Sequence, residues 1–321
     1  MPYHKEIKNF YPFNFCKIES KKGFLQIPFA WLFAIIVGIV ILFLAIYFSV
    51  KIIDLGQTES DVTMSKKIGI LFNPMETGIE SAKTTIIGLN SDTRIYNDCS
   101  ESGNFGTQSI KVSQKSFGKF TSTNMDSKFQ NKYIFSNKSE EGKKFYVFSM
   151  PFNYPFKVAD LMIITSKEYC FIDAPDEVKE QISNIQNIKI ENCSAKSVKV
   201  CFGYSSNCNV KVNMGQGVVE RGNDKLYFYD NLLYAAIFSD KDIYECQTKR
   251  LMKRTEILAD IYNAKSSELT IKGCESTDIG LKLISLGNNA QIKNSEELVL
   301  NLGLIEEINQ KNEILGECRL W

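Results

Sequence analysis

Histidine is nearly missing from this 321-residue chain, and the only one is His4. Beyond the first few residues, no Ser-His-Asp triad, Cys-His pair, HExxH zinc site or other histidine-ligated centre can be built. The nine cysteines include no C-x-x-C pair, so zinc ribbons and thioredoxin-like redox sites lack their signature. Excess charge is missing too. With 38 basic and 37 acidic residues the chain is formally +1, which offers no broad electrostatic footprint for nucleic acid. Phosphate and nucleotide loops fail in detail. Thr77 to Thr84 ends in Lys-Thr, but Ala82 stands where glycine must let the backbone approach phosphate. Gly215-Gln216-Gly217 followed by Gly222 lacks the dinucleotide spacing and reads as a turn. Ser116-Phe117-Gly118-Lys119 fits S-x-x-K, yet its companions S-D-N and K-T-G are absent. Neither a cofactor nor a metal is expected.

What the chain has is a long apolar run. From Gly23 to Val50 there is no charged residue. As a helix, Ile27 to Val50 would span roughly 36 Å, enough to cross a hydrocarbon core of about 30 Å with some tilt. Trp31 and Tyr47 lie toward its two ends, where amphipathic rings favour the interface. A cleaved secretory signal has an apolar region of only ~7–15 residues before a small-residue cleavage site. The exit here, Tyr47-Phe48-Ser49-Val50-Lys51, is bulky, so an uncleaved anchor in the lipid bilayer is expected.

Lys5, Lys8, Lys17, Lys21 and Lys22 precede the run, whereas Lys51 is the only basic residue after it until Lys66. That asymmetry predicts a cytoplasmic N-terminus and an exported body. The body then holds eight cysteines, an even number: Cys99, Cys170, Cys193, Cys201, Cys208, Cys246, Cys274 and Cys318. Disulfides in an oxidising compartment are the expected state, and eight cysteines allow 105 connectivities. Cys16 remains on the inner side. Two sequons, Asn137-Lys138-Ser139 and Asn192-Cys193-Ser194, are compatible with export.

The organisation reads as a cytoplasmic tail (1–22), a transmembrane helix (23–50) and a polar stalk (51–66). A β-rich to α/β domain (67–240) and a helical C-terminal subdomain (241–321) follow, so the fold class is α+β. Strands are expected at Ile68–Phe72, Thr84–Leu89, Thr93–Tyr96, Ser109–Val112 and Lys144–Ser149. Asp160 to Thr165 and Glu168 to Ile172 suggest a hairpin across Ser166-Lys167. Pro175 with Asp176 and Glu177 opens a helix. A long helix runs from Ser239 or Asp240 to about Leu269, with Gly273 as its stop. At roughly 42 Å it keeps Cys246 from Cys274, because bonded Cα atoms lie within about 7 Å. A return helix at 276–288 and an outgoing one would bring Cys318 back to Cys274, the favoured bridge. Pairing Val200 with Val210 and Val198 with Val212 puts Cys201 and Cys208 on opposite faces, so only a bulge would reunite them.

Two acidic clusters, Asp173/Asp176/Glu177 and Asp240/Asp242/Glu245, are helix-start residues that could also serve as paired carboxylates. Lys249, Arg250, Lys253 and Arg254 fall on one helical face, a candidate docking surface for an acidic partner or lipid head groups.

Lys21-Lys22-Gly23-Phe24 ahead of an apolar helix resembles the class III signal of archaeal type IV pilin-like proteins. The resemblance implies cleavage between Gly23 and Phe24 and packing of the helix in a filament core. Pro28 stands where that family has the glutamate that assists assembly of major subunits, so a minor or accessory subunit is what it implies. The body, with Thr93 to Cys99, Gly103-Asn104-Phe105-Gly106 and terminal Cys318-Arg319-Leu320-Trp321, is similar to uncharacterised single-pass archaeal membrane proteins. The reading that follows is a membrane-anchored protein in a structural or binding role, with a protein partner at the cell surface. The alternatives are a pilin-like accessory subunit and a membrane-tethered carboxylate-dependent hydrolase.

Overall fold

A computed structural model describes residues 29–71, 83–116, 118–120, 126–203 and 207–321. The chain divides into two compact units, Met1–Ile52 and Ile53–Trp321. Helix α1, Phe29–Leu71, starts in the first unit, and its stretch Phe29–Ile52 is long and apolar enough to cross a membrane. None of that stretch is buried within the protein. Within it, Ser49 Oγ donates back to the Ala45 carbonyl at 2.7 Å and so needs no water. The helix does not stop where the sequence turns polar. The segment expected as a stalk is helical, and the expected strand at Ile68–Phe72 is helix as far as Leu71. A short β-branched run has its backbone satisfied locally by a helix, whereas a strand needs a partner.

The second unit is mixed α+β. Its first sheet contains β1 (Lys83–Ser100), β2 (Thr107–Ser116), β3 (Lys119–Phe120), β4 (Ser127–Phe129), β5 (Tyr133–Phe135), β6 (Ser139–Asn153) and β7 (Lys157–Thr165). The order is β3-β2-β1-β6-β7-β5, with β4 on β2, and every pairing is antiparallel except β5 with β7. The two short strands expected at 84–89 and 93–96 are one strand, bent where its register against β6 shifts between Gly88 and Thr93. Period-two alternation feeds two cores. Phe145, Val147, Met162 and Ile164 enter a small apolar cluster, while Phe148, Met150, Phe152, Leu161 and Ile163 enter the main one.

The second sheet contains β8 (Tyr169–Ile172), β9 (Ile188–Lys189), β10 (Val198–Cys201), β11 (Val210–Asn213), β12 (Val218–Arg221) and β13 (Asp224–Tyr227), in the order β13-β12-β11-β10-β8-β9. The expected hairpin across Ser166-Lys167 does not form. Both edges of β7 are already taken, by β6 and β5, so the chain leaves the first sheet at Thr165 and enters the second at Tyr169. Glu140 holds that exit by accepting from Ser166 N and Oγ at 3.0 and 2.6 Å.

A second correction concerns β10 and β11. They pair in parallel, Val200 opposite Val210 and Cys201 opposite Lys211, rather than as antiparallel neighbours. Strands of four residues are only about 13 Å long, so the short connection can return along one without a crossover helix.

Helix α2 (Asp176–Ile182) connects parallel β8 and β9, with Pro175 at its N-cap. Helix α3 (Leu232–Phe238) is buried along its whole length. Helix α4 (Lys241–Ile271) ends before Gly273, whose φ of +94° is open to glycine at little strain. Helix α5 (Thr277–Asn289) returns along it. Gly280 makes that approach possible, because a Cβ there would lie 2.8 Å from Ser266 Oγ. Helices α6 (Glu296–Val299) and α7 (Leu302–Ile314) complete the C-terminal region.

Candidate functional site

Four disulfides pair all eight cysteines that follow α1. Cys99–Cys246 joins the end of β1 to the first turns of α4 across 147 residues, with Cα atoms 6.1 Å apart. Cys170–Cys193 ties β8 to the loop after β9, Cys201–Cys208 closes the β10–β11 connection, and Cys274–Cys318 joins the end of α4 to the C-terminus. Cys201 and Cys208 have Cα atoms 6.0 Å apart, and because β10 and β11 pair in parallel the opposite-face argument for an antiparallel pair does not apply. Spacing carries no signal for Cys99–Cys246, because its closure depends on where α4 lands on the first sheet.

The basic quartet on α4 does not form one exposed face. Arg250 has no exposed surface. Its Nε donates to the Phe105 carbonyl at 2.9 Å, its Nη1 to the Lys132 carbonyl at 2.9 Å and to Gln247 Oε1 at 2.6 Å, and its Nη2 to the Gln130 carbonyl at 2.9 Å. The guanidinium also lies 4.9 Å from the centre of the Tyr133 ring. Burial pulls its pKa below the ordinary arginine value, though a guanidinium still stays charged. Lys253 Nζ donates to the Glu101 and Gly103 carbonyls at 2.6 and 3.2 Å, and Lys249 Nζ pairs with the Glu101 carboxylate at 3.1 Å.

Three of the four cations therefore hold the β1–β2 loop, and Arg250 also holds the segment before β5. Arg254, half-buried, lines a cleft of about 300 Å³ with Asn131, Lys157 and Asp160. The physical reason is that loops leave carbonyls unpaired, and a helix crossing them must present donors. Helical periodicity marks a polar face without distinguishing solvent from a carbonyl-rich loop.

Around Arg250 the contact between α4 and the first sheet includes a polar network. Gln247 Nε2 donates to the Ile134 carbonyl at 3.2 Å and meets Gln108 Oε1. Asn97 Nδ2 donates to the same Ile134 carbonyl at 3.1 Å and to Ser136 Oγ at 2.8 Å. Gln108 Nε2 donates to the Asp98 carbonyl at 3.0 Å. Sequence reading missed this network, since an isolated Asn or Gln in a strand pattern carries no mark of burial.

The acidic clusters are structural in their contacts. Asp176 pairs with Lys179 at 2.8 Å, and that hydrogen bond draws its pKa below the carboxylate norm. Asp240 accepts from Lys138 N at 2.8 Å. Asp242 pairs with Lys138 Nζ, which lowers its pKa, and Glu245 accepts from Ser295 N and Oγ, each at 2.7 Å. Asp173 sits beyond β8 with φ of +57°, and Glu177 is exposed. Among the described residues no group of three or more His, Cys, Asp or Glu side chains is placed to hold a metal ion.

Two clefts flank Lys249. One, of about 530 Å³, is bordered by Glu101, Lys253, Glu256 and Ile292, and the other, of about 480 Å³, by Lys225, Lys241, Glu245, Lys293 and Glu296. Both mix signs, so neither selects a ligand by charge alone. The candidate processing site Gly23-Phe24 lies outside the described residues, as do His4 and Cys16. Comparison with protein-family models, with curated proteins and with solved structures found no match.

Proposed function

We propose that this chain is a single-pass membrane protein with a cytoplasmic N-terminus, whose disulfide-stabilised extracytoplasmic domain has a structural or binding role. The observation that carries the reading is the complete pairing of the eight cysteines beyond α1, a state that reducing compartments do not sustain. The uncovered apolar stretch Phe29–Ile52 supplies the anchor, with the bilayer as its partner. A role without catalysis is supported by the carboxylates, whose hydrogen bonds and ion pairs fix loops and helix starts. A protein partner at the cell surface completes the reading.

Thiol counting tests it. After denaturation without reductant, one free thiol (Cys16) is expected, and nine would overturn the proposal. A second reading, an accessory subunit of a pilin-like assembly, is favoured by the unbroken run of α1 past the apolar stretch to Leu71. A mature chain starting at Phe24, found by mass spectrometry, would establish that reading over a permanent anchor. An intact Met1 in a host with prepilin peptidase would remove it.

A further inference from the structure

The two sequons occupy opposite environments. Asn137 lies between β5 and β6 and is 8% exposed. Its Nδ2 donates to Glu140 Oε1, and its Oδ1 accepts from Arg221 Nη2 at 3.2 Å. Ser139, the third residue of that sequon, is already in β6 opposite Tyr96. A glycan on Asn137 would have to break the buried contact to Glu140 and the part-buried one to Arg221, and open the sheet exit that Glu140 also holds.

Asn192 is different in every respect. It is exposed, lies in the loop between β9 and β10, and has a left-handed φ of +56°, a conformation asparagine tolerates at the tip of a turn. Glu191, Ala195 and Lys196 around it are exposed as well. The loop is nonetheless held in shape. Cys193 is bonded to Cys170 of β8, and the Ser194 carbonyl accepts from Ser197 N and Oγ at 3.1 and 2.7 Å.

We propose that Asn192 is an N-glycosylation site and that Asn137 is not, an inference that rests on the export reading above. In the transfer, the Asn192 amide nitrogen forms a bond to C1 of a lipid-linked glycosyl pyrophosphate. The C1–oxygen bond to phosphate breaks, the lipid pyrophosphate leaves, and the amide gives up one proton. No redox change is involved. Its position gives the glycan a use. β9 is the open edge of the second sheet, two residues long, and Asn192 follows it by three residues. A bulky hydrated group beside an open edge blocks strand addition by another chain.

The test is peptide-level mass spectrometry of the full chain, expressed in cells whose transferase modifies sequons on exported proteins. A glycan mass on the Asn192 peptide is expected, lost in Asn192→Gln and in Ser194→Ala and retained in Asn137→Gln. A control chain carries Lys225→Thr, which completes a sequon on exposed Asn223. Modification of Asn223 with Asn192 bare overturns the proposal and leaves export standing. Both sites bare, while a resident glycoprotein of the same cells is modified, overturns the proposal together with export.

Discussion

Two helices that follow one another directly, α3 and the first half of α4, differ in how many polar side chains they bury. All seven residues of α3 from Leu232 to Phe238 are buried, and six of them have no polar side-chain atom. Phe238 packs at 5.3 Å on Phe148 of the first sheet and at 4.2 and 6.4 Å on Tyr169 and Phe171 of the second. After two residues, α4 buries Gln247, Thr248 and Arg250 alongside Ile243, Tyr244, Cys246, Leu251 and Met252. The difference lies in what each helix meets. α3 meets strands whose backbones are paired within their ladders, so apolar area is sufficient there. α4 crosses the ends of strands, where Arg250 donates to the Phe105, Gln130 and Lys132 carbonyls. Polar burial here is the consequence of packing a helix on loops.

The sharpest test is to cut the crosslink beside that polar contact. Cys99→Ser with Cys246→Ser frees a 147-residue loop and should lower stability by about 5 kcal/mol in the chain-entropy account. Cys201→Ser with Cys208→Ser frees 7 residues and should cost about 2 kcal/mol. Urea titrations of the solubilised full chain should reproduce that order; equal losses would mean that the crosslinks act locally instead.

Arg250→Ala should cost about 3–5 kcal/mol, because it empties a buried site and removes the donor to three carbonyls, that of Lys132 buried. Phe238→Ala, on the apolar side of the comparison, should lose a similar amount through a cavity. Hydrogen exchange separates them. Protection is expected to fall first around Phe105 and Gln130 in Arg250→Ala, and throughout both sheets in Phe238→Ala. Arg250→Lys should stay well below wild type, since one ammonium cannot reproduce a fork that spans three carbonyls.

Smaller effects probe the loop itself. Gly106→Ala places a Cβ 2.5 Å from the Ser100 carbonyl and 2.8 Å from Arg250 Cγ at φ of +61°, and should cost about 1–3 kcal/mol. Gly103→Ala in the same loop has open space at φ of +84°, so only backbone strain of about 1 kcal/mol remains. Equal losses at the two positions would show that the Arg250 contact is not what constrains the loop.

The apolar side has its own pH signature. Burial raises the Tyr169 hydroxyl to about 12, against 10 for the free side chain. The folded state therefore holds its proton more tightly than the unfolded one. That stability is fully present below pH 10 and declines as pH rises toward 12. Tyr169→Phe should move the alkaline unfolding midpoint upward, whereas removing the exposed Lys138–Asp242 pair should leave it unchanged.

Several features were legible because they are local. The apolar stretch shows in composition alone. The long helix, its stop at Gly273 and the returning α5 show in periodicity and punctuation, and Pro175 with its two acids marks α2. The misreadings share one cause. Ile68 to Leu71 has strand residues but lies within a helix. Thr165 to Tyr169 has a hairpin spacing but its first strand has no open edge. Val200 and Val210 are partners whose relative direction their side chains do not encode.

What the residues determined unaided is a membrane-compatible helix, a body without histidine, eight cysteines on one side of the helix and the positions of α4 and α5. Composition and short-range backbone preference are enough for these. The tertiary structure alone decided the partner of Cys99 and the direction of β11. It also decided which sequon faces solvent and that Arg250 on the basic face of α4 is buried. Each of those depends on groups contributed by distant segments, and a side chain becomes buried, paired or free only when its neighbours arrive.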